Sequence, residues 1–144
     1  MSDELIAEAL RDVQVIAMVG LSPNETRPSW GVARFLKSQG YRVIPVNPGH
    51  AGKLLLDETT YASLSDIPAD IQVDMVDIFR RSDSVPAIVD EAVAHLPHLK
   101  VIWTQLGVSS DAGAEAAGKA GITMIQDRCP KIEIPRLGIP ARRP

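Results

Sequence analysis

The hydrophobic pattern of this chain consists of short apolar runs separated by segments rich in glycine, proline and polar residues. The runs cover residues 15–19, 41–46, 73–79, 101–105 and 122–125. Short continuous runs bounded by turn-forming residues are typical of strands buried on both faces of a sheet. We therefore predict five strands. Pro45 lies near the end of the second run, and we expect its nitrogen to face an unpaired side of that strand.

Apolar residues at helical spacing occupy the segments between these runs. We predict a first helix that begins after Ser2, a second that Ser29 or a neighbour caps and Gly40 ends, a third over 82–96 and a fourth over 111–120. The third helix has the clearest pattern, with an inner face made of Val85, Ile88, Val89, Ala92, Val93 and Leu96.

Strands that alternate with helices predict parallel βαβ units with right-handed crossovers. The predicted fold class is therefore α/β, a three-layer, Rossmann-like, doubly wound parallel sheet of about five strands. We expect the strand order 3-2-1-4-5, with residues 73–79 as the third strand. The ligand crevice of such a sheet lies at the carboxyl ends, here expected between strands one and four. Residues 50–70 are expected to be irregular apart from a short helix or strand.

The domain prediction is a single unit over residues 1–144. A chain of this length is sufficient for one substantial core but too short for two. The core is expected within residues 15–126. Residues 127–144 contain four prolines, and we expect an irregular tail that wraps the surface.

Composition narrows the classes of partner. The net charge is −3, opposite in sign to the basic footprint of a general nucleic-acid binder. A single cysteine excludes an intrachain disulfide and fits a reducing compartment. No apolar run approaches the ~20 residues that span a bilayer, and the acidic N-terminal segment does not resemble a signal peptide. We expect a cytoplasmic protein with neither a nucleic-acid nor a membrane partner.

Each predicted strand is followed by residues suited to an anionic ligand. In chain order these residues are Gly20, Ser22 and Arg27; Asn47, Pro48, Gly49 and Lys53; Phe79, Arg80 and Arg81; Gln105 and Gly107; and Asp127, Arg128 and Cys129. The carboxyl ends of parallel strands meet at one edge, so this acidic protein is expected to collect arginines and a lysine there. Backbone amides at a helix N-terminus would add a phosphate cradle.

The expected ligand is not NAD. The turn after the first strand has one glycine, Gly20, where the dinucleotide fingerprint requires three. Asn47 and Pro48 follow the second strand, where an NAD enzyme normally places an acidic residue for the ribose hydroxyls. Residues 49–54 do not match a Walker phosphate loop either. Coenzyme A (CoA) and NADP remain as candidate ligands, and the missing glycines disfavour NADP.

At these residues the chain resembles the stand-alone CoA-binding domain proteins, whose fold is similar to the N-terminal domain of the succinyl-CoA ligase α subunit. The resemblance spans roughly residues 15–138. The resemblance is based on the segments 19–22, 27–29, 40–48, 77–80, 105–107 and 127–133. It implies that Gly20 and Ser22 contact the CoA phosphates. It also implies that Asn47, Pro48 and Lys53 approach the phosphorylated ribose, and that Phe79 and Arg80 lie beside the adenine or the pantetheine.

The resemblance implies binding of CoA or an acyl-CoA rather than catalysis, because the ligase carries its phosphorylated histidine in a second domain that this chain does not have. The complete candidate binding set is Gly20, Ser22, Arg27, Ser29, Asn47, Pro48, Lys53, Phe79, Arg80, Gln105 and Gly107. Three alternatives stay open. These are a small enzyme that acts on a CoA thioester through Cys129 or Asp77, an NADP-binding protein, and a regulatory protein, a homodimer or the partner of another protein. The histidines have no metal-ligand spacing, so no metal site is predicted.

Overall fold

The computed structural model describes residues 1–142 and is built around a parallel sheet of five strands. The strands of this sheet are β1 (Val15–Val19), β2 (Arg42–Val46), β5 (Met75–Ile78), β6 (Val101–Thr104) and β7 (Thr123–Ile125). Two shorter strands, β3 (Leu54–Leu55) and β4 (Glu58–Thr59), lie between β2 and β5 in the chain. The helices are α1 (Asp3–Asp12), α2 (Pro28–Ser38), α3 (Val85–His95), α4 (Asp111–Lys119) and α5 (Pro130–Arg136). The strands β3 and β4 form a separate antiparallel hairpin, which confirms a short strand within residues 50–70.

Two apolar cores lie on opposite faces of the sheet. On one face, α1, α2 and α5 pack over side chains that include Ile16, Met18 and Trp103. On the other face, α3 and α4 cover side chains that include Ala17 and Val76. These helix layers on both faces of a parallel sheet confirm the predicted three-layer, Rossmann-like α/β fold class.

The lateral position of one strand differs from the prediction. The main sheet has the order β2-β1-β5-β6-β7, so the segment expected outside β2, residues 73–79, instead supplies β5 next to β1. The outer position beside β2 is taken by a single parallel bridge between Val46 and Tyr61. The arrangement is of the 3-2-1-4-5 type only when this bridge is counted as the outer strand. From β1 the chain adds its next strand on one side, and from β5 onward it adds strands on the other side. The crevice is therefore expected between β1 and β5.

Pro45 is accommodated because its polar atoms face away from β1. Tyr61 donates its backbone N–H to the Pro45 carbonyl oxygen at 3.0 Å, on the outer side of β2. The neighbouring Val46 carbonyl points the other way and accepts from Gly20 N–H at 2.8 Å. The missing N–H of Pro45 therefore removes no bond of the β1–β2 ladder, as predicted.

The ends of the first two helices follow the sequence signals with one exception. The Ser2 hydroxyl accepts from Leu5 N–H at 3.2 Å and caps α1. Gly40 adopts a φ of +97° after α2, which confirms its predicted position just beyond the helix. Ser29 is not the cap of α2, because the helix begins at Pro28 and Arg27 occupies the N-cap position. In α3, Val93 is 40% exposed and does not belong to the predicted inner face.

The C-terminal segment is not the irregular tail that its prolines predict. Pro130–Arg136 forms the helix α5. The helix tolerates a proline as its first residue because the backbone N–H at that position has no hydrogen-bond partner within a helix. Arg136 donates to both oxygens of Glu133 and to both oxygens of Asp3, at 2.9–3.1 Å, and so joins α5 to α1. Residues 143–144 of the predicted tail lie outside the described residues.

Candidate functional site

A cavity of about 920 Å³ opens at the carboxyl edge of the sheet, above β5 and β6. Its walls are formed by Pro28, Val32, Phe79, Arg80, Arg81, Ser82, Ser84, Gln105, Leu106, Gly107, Val108 and Cys129. The volume lies within the range of about 300–1,000 Å³ that is typical of ligand pockets. The predicted residues that this cavity brings together are Phe79, Arg80, Gln105 and Gly107.

Gly20 lies beside this cavity, where the ends of three strands meet. Its N–H donates to Val46 at the end of β2, and Phe79 N–H donates to Val19 at the end of β1, both at 2.8 Å. Gly20 has a φ of +90°, and a Cβ built on it would lie 2.3 Å from the Phe79 carbonyl oxygen. A side chain cannot fit there, so the glycine is required by the close approach of β1 and β5.

The loop between β1 and α2 is shaped by its own hydroxyls. Ser29 Oγ accepts from Ser22 N–H at 3.0 Å, and Ser22 Oγ accepts from Asn24 N–H at 3.1 Å. Ser22 and Ser29 therefore position the loop around the N-terminus of α2. Arg27 is exposed at the N-cap of that helix and is not part of the cavity wall.

Asn47 uses its side chain to join two loops. Its Nδ2 donates to the Leu21 carbonyl at 3.0 Å, and its Oδ1 accepts from Gly49 N–H at 3.0 Å. The amide thus fixes the end of β2 against the loop after β1. Lys53 is exposed in the segment that leads to the β3–β4 hairpin, away from the 920 Å³ cavity wall.

Arg80 separates the large cavity from a smaller one. The smaller cavity, about 400 Å³, lies above β1 and β2 and is lined by Val19, Val46, Pro48, Ala62, Ser63, Arg80, Ser84, Ile88 and Glu91. Arg80 is half-buried and contributes to both walls. Its neighbour Arg81 has an 88% exposed side chain that lies 3.6 Å from Asp83. The two arginines therefore have different environments: Arg80, together with Ser84, lines both cavities, whereas Arg81 lines only the larger one.

Gln105 and Gly107 follow β6 and differ in how their polar groups are used. Gly107 N–H donates to Asp127 Oδ1 at 2.6 Å, so this amide is already bonded within the protein. Gln105 is 7% exposed, and its Oε1 has no hydrogen-bond partner within residues 1–142. An unpaired buried acceptor costs free energy, and such a group in a cavity wall is suited to a ligand that supplies a donor.

Several lining residues were absent from the predicted binding set. They are Pro28, Val32, Ser82, Ser84, Leu106, Val108 and Cys129, with Arg81 considered but not selected. A signal for part of them was present, because Ser82, Leu106 and Val108 lie within a few residues of a predicted strand end. Val32 carried no such signal, since its helical spacing predicts only a core position. Cys129, 8% exposed, was expected at this edge of the sheet because it follows the fifth predicted strand, but it was considered only as a reactive thiol and not as a binding residue.

Asp77 is a fully buried carboxyl group in the middle of β5. It pairs in register with Met18 on β1 and Trp103 on β6. Neither carboxyl oxygen has a hydrogen-bond partner in the part of the chain that the structure describes. Burial raises the pKa of Asp77 well above its ordinary value, because the charged form loses its solvation. Burial therefore favours the neutral form of this carboxyl group over the charged form. By contrast, Asp74 accepts from Gln14 and Val15 at the start of β1.

Two further properties concern the described residues as a whole. Among residues 1–142 no group of three or more histidine, cysteine, aspartate or glutamate side chains is arranged to hold a metal ion. No helix in the same part of the chain has both the length and the apolar character needed to cross a membrane.

Comparison with known proteins shows the family to which this chain belongs. Residues 14–135 match the CoA binding domain family, and the chain belongs to it. The uncharacterized protein YneT of Bacillus subtilis is 33% identical over 131 residues, which cover 88% of this chain and 90% of that protein. A solved structure from Thermus thermophilus, cell-free ID.343, is 34% identical with a TM-score of 0.87 and covers 95% of this chain and 99% of its own.

A larger protein contains the same fold as one part. The dinucleotide-forming acetyl-coenzyme A synthetase 1 of Ca. Korarchaeum cryptofilum matches with a TM-score of 0.64 and 24% identity. The match covers 81% of this chain and 26% of the synthetase. At this identity the likeness concerns the fold alone.

Proposed function

We propose that this protein binds CoA or an acyl-CoA at the carboxyl edge of its sheet and acts as a binding module rather than an enzyme. The observation that carries the proposal is the pair of cavities that meet at Arg80. CoA has a phosphorylated nucleotide, a diphosphate and a long pantetheine arm. Two cavities joined at a cation match this division into a nucleotide end, an anionic centre and an arm.

The charge of the site supports the central part of this arrangement. The protein has a net charge of −3, so its overall electric field repels an anion. The guanidinium of the half-buried Arg80 supplies a positive charge that attracts an anion locally. A planar guanidinium binds phosphate oxygens through two parallel hydrogen bonds. In the proposed complex Arg80 binds the diphosphate, and the N-terminus of α2 near Gly20 and Ser22 adds its dipole.

The residues of the large cavity fit a pantetheine arm. Phe79, Val32, Leu106 and Val108 supply apolar surface for its carbon chain. The arm also carries amide N–H groups, and Gln105 Oε1 is a buried acceptor that has no partner within the described residues. Pro48, which the family resemblance implies approaches the phosphorylated ribose, lines the smaller cavity. The residues present therefore fit the ligand that the family implies.

A reaction on a CoA thioester is the second candidate, and one observation favours it. Cys129 lies in the wall of the large cavity, where the end of a bound arm would lie near its thiol. Incubation of the protein with a panel of acyl-CoAs distinguishes the candidates. Release of free thiol by the wild-type protein, lost in Cys129→Ser, would establish the enzyme. Stable acyl-CoAs would support the binding module.

Isothermal titration with CoA, NADP and ADP tests the proposed function. We expect CoA to bind more tightly than NADP, because the turn after β1 has one glycine, Gly20, where the dinucleotide fingerprint requires three. The absence of any CoA heat at millimolar concentration, or tighter binding of NADP, would overturn the proposal.

A further inference from the structure

The large cavity has a cationic wall and an apolar wall. The segment after β5 supplies the polar side, with Arg80, Arg81, Ser82 and Ser84. The apolar side comes from the start of α2 and the loop after β6, with Pro28, Val32, Leu106, Val108 and Cys129. The charged side chains of the wall thus come from the segment after β5, whereas the other elements supply mostly apolar side chains, with Gln105 as the polar exception.

The volume of this cavity exceeds what a narrow arm needs. At about 920 Å³ it is more than twice the size of the cavity beside Pro48, which is about 400 Å³. It also lies near the upper end of the usual range for ligand pockets. A pantetheine arm is a thin chain that ends in a single thiol, so it would leave part of this apolar space filled with water.

Leu106 indicates where an additional apolar group would be stabilised. Its side chain is 57% exposed although it lies at the cavity wall. Nearby Val108 and Phe79 are partly buried in the same wall. An apolar group placed against these side chains would remove water from surface that is exposed in the absence of a ligand.

We infer that the ligand is an acyl-CoA, and that the apolar wall near Leu106 holds its aliphatic acyl chain. The inference rests on the proposed function, because it requires CoA to lie with its diphosphate at Arg80 and its thiol end in the large cavity. The occupant is selected by charge complementarity. A molecule that is anionic at one end and apolar at the other complements both walls of this space.

The inference predicts that affinity increases with acyl length. Each methylene that becomes fully buried improves binding by about fourfold. Isothermal titration with CoA, acetyl-CoA, butanoyl-CoA and octanoyl-CoA should therefore give dissociation constants that decrease along the series until the apolar wall is covered. Equal constants for all four ligands would overturn the inference and leave the proposed function intact. No binding of any of the four would overturn both.

A pair of leucine variants locates the acyl chain. Leu106→Ser removes apolar surface from the cavity wall, whereas Leu54→Ser removes a leucine that is 71% exposed on the hairpin strand β3 and lies away from this wall. Leu106→Ser should lower the ratio of octanoyl-CoA affinity to CoA affinity by about threefold or more. Leu54→Ser should leave that ratio at the wild-type value. The same ratio in both variants and the wild type would contradict the placement of the chain.

Discussion

Gly20 and Phe79 meet so closely that a Cβ atom on Gly20 would lie 2.3 Å from the Phe79 carbonyl oxygen. This approach connects the turn after β1 to the start of the cavity wall after β5. The absence of a side chain at Gly20 is therefore a condition for the shape of the site, independent of any direct contact between this glycine and the ligand.

Substitution of Gly20 by alanine should destabilise the fold. The residue has a φ of +90°, and the added methyl group would collide with the main chain of Phe79, which moves less readily than the end of a flexible side chain. We expect Gly20→Ala to reduce the free energy of unfolding by at least about 2 kcal/mol in urea titrations. Gly118→Ala is the matched control, because nothing lies within 4 Å of its Cβ position in α4. That variant should gain about 0.5–1 kcal/mol from helix propensity. Equal stability of the two variants would contradict the role of the close approach.

The two neighbouring arginines should contribute unequally to CoA binding. Arg80 is half-buried between the two cavities, whereas the Arg81 side chain is 88% exposed and pairs with Asp83. Arg80→Ala should weaken CoA binding by about 1.5–3 kcal/mol, the range for a hydrogen bond to a charged group. Arg81→Ala should weaken it by at most about 1 kcal/mol. Titration of both variants, with thermal unfolding as the control for folding, checks the difference. A larger loss for Arg81→Ala would place the diphosphate elsewhere.

Asp77 should make stability depend on pH. Burial raises the pKa of its carboxyl group in the folded state, so the unfolded chain releases this proton at lower pH than the folded one. Below the ordinary pKa of aspartate both states are protonated, and the group has no effect. As the pH rises above that value, ionisation stabilises the unfolded state and the free energy of unfolding decreases.

Asp77→Asn tests this dependence because it keeps the shape of the side chain and removes the ionisation. The variant should be more stable than the wild type at pH 7, and the difference should shrink as the pH falls toward 4. Urea unfolding across this range measures it. A difference between the two proteins that stays constant over the whole range would show that Asp77 does not retain its proton on folding.

Cys129 is a natural reporter of cavity occupancy, because it is the single cysteine of the chain. Cys129 is 8% exposed and lies in the cavity wall, so alkylation of its thiol by iodoacetamide should be slow in the folded protein and fast in urea. Acetyl-CoA, whose thiol is blocked, should slow the reaction several-fold further, whereas NADP at the same concentration should not. Intact-mass spectrometry follows the single adduct. Protection by NADP equal to that by acetyl-CoA would argue against a CoA-shaped site.

Local signals in the sequence were sufficient for most of the fold and insufficient for its lateral order. Each apolar run became a strand of the main sheet because both faces of that sheet are covered by helices. The run at residues 73–79 could not reveal its neighbour, since its pattern is the same beside β1 as beside β2. The bridge between Val46 and Tyr61, which fills the outer position, consists of one residue pair and leaves no periodic signal.

The helix α5 escaped prediction for a related reason. A seven-residue segment with Pro130 and Pro135 has low helix propensity on its own. Tertiary contacts stabilise it, through the burial of Ile134 and the bonds from Arg136 to Asp3. Asp3 lies 133 residues from Arg136, so no local pattern could indicate the pair.

The sequence predicted which strand ends contribute to the cavity wall, but not the contacts that the individual side chains make. Strand ends located Phe79, Arg80 and Gln105, because parallel strands must deliver these residues to one edge. Asn47 was expected at the ribose, yet its amide joins Leu21 to Gly49, which depends on the path of two loops. Arg27 and Lys53 are exposed outside the large cavity wall, and their expected phosphate contacts stay predictions.

A crystal structure of the protein grown with CoA would show directly whether CoA occupies the two cavities. We predict density for the diphosphate at Arg80, the nucleotide toward Pro48 in the smaller cavity and the pantetheine arm between Phe79, Gln105 and Leu106 in the larger one. CoA bound at any other surface, or both cavities empty at saturating CoA, would contradict it.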